Sequence, residues 1–190
     1  MPYQRSKIPN LKRVLTQAAE AAVETAQSGL VSYAQQQRDL FVRKIEEQKF
    51  ASFRVIFYPE SGTNLSPRWL ARKAYKGADE RTAIATGHYV SQIKVFTKKP
   101  RRKPFEVRVG FDPRVRARDL DGEVKPATLN LVARVLEHGS ERMQIPARPH
   151  WGPHFNVMRR EAPRVSIRLS KLVADAIDRV LPGFTEKRRT

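Results

Sequence analysis

The chain has 190 residues, and its 37 Lys and Arg against 19 Asp and Glu leave a formal net charge of +18. That excess suits an acidic or phosphate-bearing partner, or an oligomer that sets basic arms against acidic neighbours. The absence of cysteine excludes disulfides, thiol nucleophiles and thiolate metal ligands, and the absence of any apolar run of about 18 residues predicts a soluble intracellular chain with no membrane span.

The opening Met1-Pro2-Tyr3-Gln4-Arg5 leads into a polar-interrupted pattern rather than the apolar block of a secretory leader. Residues 10 to 48 read as helix, because Leu11, Leu15, Ala18 and Ala22 recur at helical spacing, as do Leu30, Ala34, Phe41 and Ile45. As one rod this segment would run about 57 Å. Gln27-Ser28-Gly29 is the expected break, since glycine costs roughly 1 kcal/mol against alanine inside a helix. The first half, rich in alanine from Ala18 to Ala26, buries little area and is expected on a surface or against another subunit. Val55-Ile56-Phe57-Tyr58 predicts a short strand stopped by Pro59. Ser66-Pro67 supplies an N-cap and a first-turn proline, and Gly77 a terminator, for a helix carrying Trp69, Leu70 and Tyr75.

Alternation over residues 89–96 and again over 105–109 predicts a hairpin. Its connection, Lys98-Lys99-Pro100-Arg101-Arg102-Lys103-Pro104, holds two prolines and is expected to be a long exposed tip, about 97–104. Arg114-Val115-Arg116-Ala117-Arg118 and the Asp121-Gly122 turn predict a second exposed arm, about 112–126. Leu129, Val132, Val135 and Leu136 fit a short helix ended by Gly139, followed by an irregular stretch with Pro146, Pro149 and Pro153. An apolar stripe from Val165 to Val180, bounded by Pro163 and by Pro182-Gly183, predicts the last helix; residues 186–190 read as a short basic tail. The expected fold is therefore a single α+β domain spanning 1–190. Its small antiparallel sheet carries a long hairpin arm and is packed by a long N-terminal helical extension (about 1–50) and a C-terminal amphipathic helix.

Reactive residues do not assemble into a catalytic set. Ser91, Ser140 and Ser170 lack a nucleophile elbow, and the nearest carboxylate groupings, Glu46-Glu47 and Asp119 with Asp121, read as a solvated helix face and a turn. His150 and His154 have helical metal-ligand spacing, but Gly152 and Pro153 between them argue against a helix there, so packed or surface histidines are expected instead. No enzyme activity, metal or cofactor is predicted. Lys98, Lys99, Arg101, Arg102 and Lys103 in the first arm and Arg114, Arg116 and Arg118 in the second are candidate contacts with an acidic protein or nucleic acid. The first tip has no aromatic residue for base stacking, so any nucleic-acid contact there would be to the phosphate backbone. The competing reading is a solvated charge run that keeps the hairpin edge from aggregating.

Glu137 falls in the last turn of a predicted helix, where a carboxylate opposes the helix dipole unless it has a partner. Arg148 stands between Ala147 and Pro149 in a pre-ordered extended segment. A Glu137–Arg148 ion pair that fastens the proline-rich segment to the helix end is the expectation from these two placements, with two independent surface charges as the competing reading.

The run Leu136-Glu137-His138-Gly139-Ser140, followed by Ile145-Pro146-Ala147-Arg148-Pro149-His150, resembles a signature of the tail-completion and virion-morphogenesis proteins of long-tailed bacteriophages. Residues 64–73, Asn-Leu-Ser-Pro-Arg-Trp-Leu-Ala-Arg-Lys, are similar to a second stretch of that group. Residues 85–93, with Thr86 and Gly87, are similar to a third. The resemblance covers residues 64 to 150. His138 and His150 stand where the family has aromatic residues, Ser140 where it has Thr, and the two arms have no counterpart. The resemblance implies a non-enzymatic virion component at the head–tail junction, assembled in host cytoplasm as a homo-oligomeric ring, commonly a hexamer. It also implies that Glu137, Gly139, Pro146, Ala147, Arg148, Pro149, Thr86 and Gly87 are structural motif positions. Implied neighbours are connector or head-completion proteins and the tail terminator or tube, with contact to packaged DNA as a further possibility and no membrane. Another minor tail protein, such as a terminator, or a nucleic-acid binder without sequence preference are the alternatives.

Overall fold

A computed structural model describes residues 11–81, 83, 86–99 and 104–181. The chain is α+β, with five helices and two two-stranded antiparallel sheets among the described residues. It divides into two compact units, whose described parts are residues 11–32 with 161–181, and residues 33–160.

Two helices contribute to both units: α1, Leu11–Glu46, and α5, Trp151–Val180. Within the first unit α1 runs unbroken through Gly29, contrary to the break expected there. The glycine permits close approach instead: a Cβ on it would lie 2.4 Å from Leu169 Cδ2. Ala18 is buried in this unit, while Leu15, Val23, Ile167 and Leu172 are exposed. The last helix also begins earlier than expected. Pro163 does not bound it but lies inside it, at the cost of the one backbone bond its missing N–H would have made.

The second unit opens with the C-terminal part of α1, which buries Phe41 and Ile45, followed by a single 3₁₀ turn, Ala51–Phe53. Residues 55–58 do not form a strand. No described strand pairs with them, they are largely exposed, and Tyr58 alone bridges, to Thr63. Helix α2, Pro67–Tyr75, starts as the sequence predicts, with the Ser66 side chain accepting from Trp69 N–H. It ends in a paired-bond cap, in which Gly77 N–H donates to Ala74 O and Ala78 N–H to Lys73 O. Gly77 takes the positive φ of +61° that this cap requires.

The predicted strand over 89–96 is shorter than expected. Gly87, at φ +72°, starts a one-turn helix, α3, His88–Ser91. Tyr89, Val90 and Ile93 therefore reach the core at helical spacing. Strand β1, Lys94–Lys98, then pairs with β2, Glu106–Gly110, in the register Lys94 to Gly110 through Lys98 to Glu106. The second hairpin, β3, Arg116–Arg118, with β4, Val124–Thr128, carries an irregularity between its two paired positions, and β4 admits Pro126 there. Helix α4, Leu129–His138, is capped by the Thr128 side chain and ends at Gly139. The core of this unit joins Phe41, Ile45, Phe53, Ile93, Phe111 and Leu129.

Candidate functional site

The motif residues converge on the junction between the end of α4, the loop 139–149 and the start of α5. Gly139 has φ +76°, and a Cβ there would stand 2.8 Å from Ala147 N and 2.9 Å from Ile145 O, so only glycine lets the loop fold back this closely. The loop is closed by paired bonds between Ser140 and Ile145 and by Arg148 N–H donating to Leu136 O at 2.6 Å. Pro149 O accepts from Ser52 Oγ at 2.7 Å. Thr86 accepts from His88 N–H ahead of α3.

Glu137 and Arg148 do not form the expected ion pair. The Glu137 carboxylate accepts three backbone N–H groups at the start of α5, from His150 and Trp151 on Oε2 and from Gly152 on Oε1, at 2.8–2.9 Å. Pro153, next in line, has no N–H to satisfy. A charge that opposes the dipole of α4 is thereby placed at the favourable N-terminal end of α5. Gly152 makes the approach possible, since a Cβ there would meet Glu137 Oε1 at 2.8 Å. Pro153 in the first turn is also why His154 lies in a helix after all.

His150 is fully buried and every polar atom of its ring is used. Its Nδ1–H must donate to Arg148 O at 2.8 Å, because a carbonyl can only accept. Nε2 then accepts from Tyr89 Oη–H at 2.8 Å, and Tyr89 Oη accepts from Trp151 Nε1–H at 3.0 Å. Burial holds the His150 pKa below its ordinary value, partly opposed by the Arg148 carbonyl and the Glu137 charge. Burial likewise pushes the Tyr89 hydroxyl above its usual range. The histidine is thus neutral at pH 7 and serves as a polar core joint. Among the described residues no group of three His, Asp or Glu side chains is placed to hold a metal ion.

Arg148 turns the other way. It is 5% exposed, donates from an Nη to Asn64 O, and lies 5.8 Å from the Phe57 ring centre. Its Nε has no hydrogen-bond partner, and burial lowers its pKa. Here it borders a cavity of about 460 Å³ lined also by Lys73 of α2, Arg118 of β3 and the apolar side chains of Leu65, Trp69 and Ile145. Lys73 is 2% exposed, and its ammonium donates to Asp79 O and Arg81 O at 2.9 and 2.8 Å. Burial lowers its pKa to about 8, against the attraction of Asp79 and Glu80. No carboxylate lines the cavity among the described residues. The sequence pattern does not single out Lys73; the available signal is its place three residues after the half-buried Leu70, on one face of the helix with it.

The arms differ from one another. Lys98 ends β1 opposite Glu106, and Lys98 and Lys99 are exposed, whereas Arg101, Arg102 and Lys103 lie outside the described residues. Arg114 is exposed, the Arg116 guanidinium donates to Pro126 O across the hairpin, and Arg118 borders the cavity. The second arm also folds back: Asp121 at its turn pairs with Lys76 at 2.6 Å and with Arg72 at 3.7 Å, while Lys125 pairs with Asp119 and Glu123. Its carboxylates Asp119, Asp121 and Glu123 and its Lys125 are paired within the unit, while no ion pair joins Arg114, Arg116 or Arg118 to a described carboxylate.

No protein-family model, curated protein or solved structure matches the chain.

Proposed function

We propose that the chain is a non-enzymatic assembly subunit of a long-tailed bacteriophage, a ring-forming protein of the head–tail junction. The observation that carries this reading is how the motif residues are used. Glu137, Gly139, Ala147 and Pro149 apply their groups to fastening a loop between two helix ends, as shape-determining residues do. The exposed apolar side chains Leu15, Val23, Ile167 and Leu172 add surface suited to a neighbouring subunit.

Loss of the protein from the phage that encodes it tests the reading. Filled heads and complete tails should accumulate unjoined, and the added chain should restore joining. Normal joined particles in its absence would overturn the proposal. Retention of duplex DNA that weakens log-linearly with salt, with joining unaffected, would favour the nucleic-acid-binding alternative.

A further inference from the structure

The cavity bordered by α2, α4 and the 143–148 loop gathers positive charge that the described residues answer only in part. Three cations line it, Lys73, Arg118 and Arg148, with no carboxylate among its described lining residues. Two of the three are almost wholly buried. Buried charges are normally paired with opposite charge, because leaving water is costly for an ion without one. Lys73 and Arg148 instead have backbone carbonyls as partners, and no carboxylate of the described residues lies within ion-pair distance of either. Asp79 and Glu80 attract Lys73 from beyond ion-pair distance, and Asp79 is committed to the Arg81 guanidinium.

The rest of the lining limits what can bring the missing charge. The walls are apolar, from Leu65, Trp69, Val132, Leu136 and Ile145, and the volume of about 460 Å³ falls within the range of small-ligand pockets. Of the hydroxyls in its wall, Tyr58 Oη donates to Gln144 O, while Ser66 Oγ and Thr86 Oγ1 accept from Trp69 N–H and His88 N–H and keep an O–H to donate. No glycine is among the described lining residues, which therefore form no glycine-rich backbone cradle of the kind that commonly surrounds a phosphate. An anionic head on an apolar body fits both the cations and the walls.

We infer that this cavity receives the carboxylate of an amphiphilic acid, held by Arg148 and Lys73 with Arg118 at the exposed side and its apolar body against Trp69 and Ile145. The Arg148 guanidinium borders the cavity with only a neutral carbonyl, Asn64 O, as its partner, so a carboxylate there would supply the opposite charge. The inference does not depend on the assembly reading above.

Titration of the full chain with phenylacetate, benzyl alcohol and inorganic phosphate, followed by calorimetry and by NMR shifts of residues around the cavity, tests it. Phenylacetate should bind at this site, benzyl alcohol at least tenfold more weakly, and phosphate should not displace phenylacetate at equal concentration. Arg118→Gln, at an exposed side chain, should weaken phenylacetate severalfold. Lys73→Met, checked for folding by circular dichroism, should abolish the preference for the acid over the alcohol. The peptide acetyl-Leu-Glu-Leu-amide distinguishes sources within the inference: competition assigns the carboxylate to a polypeptide, and its failure while phenylacetate binds assigns it to a free acid. Equal binding of acid and alcohol, tighter binding of phosphate, no binding of phenylacetate, or unchanged preference in both variants would overturn the inference.

Discussion

Glu137 sits against the dipole of one helix and with the dipole of the next, and the second placement decides its worth. Three backbone donors depend on it, so Glu137→Ala should cost about 2–3 kcal/mol, the range for losing hydrogen bonds to a charged group. Gly152→Ala should also destabilise, because its Cβ would press on Oε1. In the Glu137→Ala background that clash is gone, so chemical denaturation of the four proteins should show the two losses to be clearly less than additive; strict additivity would mean the carboxylate does not lie against Gly152. Lys73 makes a pH prediction of unusual sign. Its folded pKa of about 8 lies below the ordinary lysine value of 10.5, so between these values the unfolded chain retains a proton that the folded chain has lost. Stability therefore rises with pH across that window, and below pH 8 this group contributes no pH dependence. The stability of the wild type relative to Lys73→Met should climb by on the order of 3 kcal/mol from pH 8 to pH 10.5. A flat difference would show that the ammonium is as well solvated folded as unfolded. Glu137 and Arg148 could be marked from the sequence, because a carboxylate at a helix end and an arginine next to a proline are local anomalies. Their partners could not, since the N–H groups of 150–152 and the carbonyl of Asn64 meet them only after the chain has folded back.

Element ends were legible where the signal is local. Ser66-Pro67 and Gly77 bound α2, and Gly139 ends α4, because a cap is a property of a few consecutive residues. Elements that need a distant partner were not. Residues 55–58 have strand composition but no described strand to pair with, and the alternation over 89–93 yields to a helical turn that brings three side chains into the core together. Pro153 and Pro163 both read as breaks and neither is one: Pro153 is harmless in a first turn, and Pro163 is carried inside α5. Gly29 shows the same limit, for a glycine that reads locally as a break serves a contact 140 residues away. Gly29→Ala should gain about 1 kcal/mol of helix propensity and lose a comparable amount by displacing the Leu169 side chain, leaving thermal stability nearly unchanged. Once Leu169→Ala has cleared the space, the same substitution should stabilise by about 1 kcal/mol. A gain of equal size in both backgrounds would place Leu169 away from Gly29.

At the scale of the whole molecule, two tendencies oppose each other, and salt separates them. A net charge of +18 makes copies of the chain repel, and that repulsion fades as ionic strength rises and the screening length falls from about 10 Å at 0.1 M to about 3 Å at 1 M. The exposed Leu15, Val23, Ile167 and Leu172 favour association through apolar burial, which salt does not weaken. Nucleic-acid binding has the opposite salt response, because its driving force is the release of counterions from phosphate. If the chain is built to assemble, sedimentation at constant protein concentration should show larger species at 0.5 M than at 0.05 M salt. Val23→Asp with Ile167→Asp should return the chain to monomer at both concentrations, since each places a charge where apolar contact is needed. Duplex DNA retention should fall over the same range in wild type and double variant alike, because neither change removes a basic side chain. Assembly that disappears as salt rises would instead mean that the subunits are held by charge, and the basic arms rather than the helices of the first unit would then be the surface that joins them.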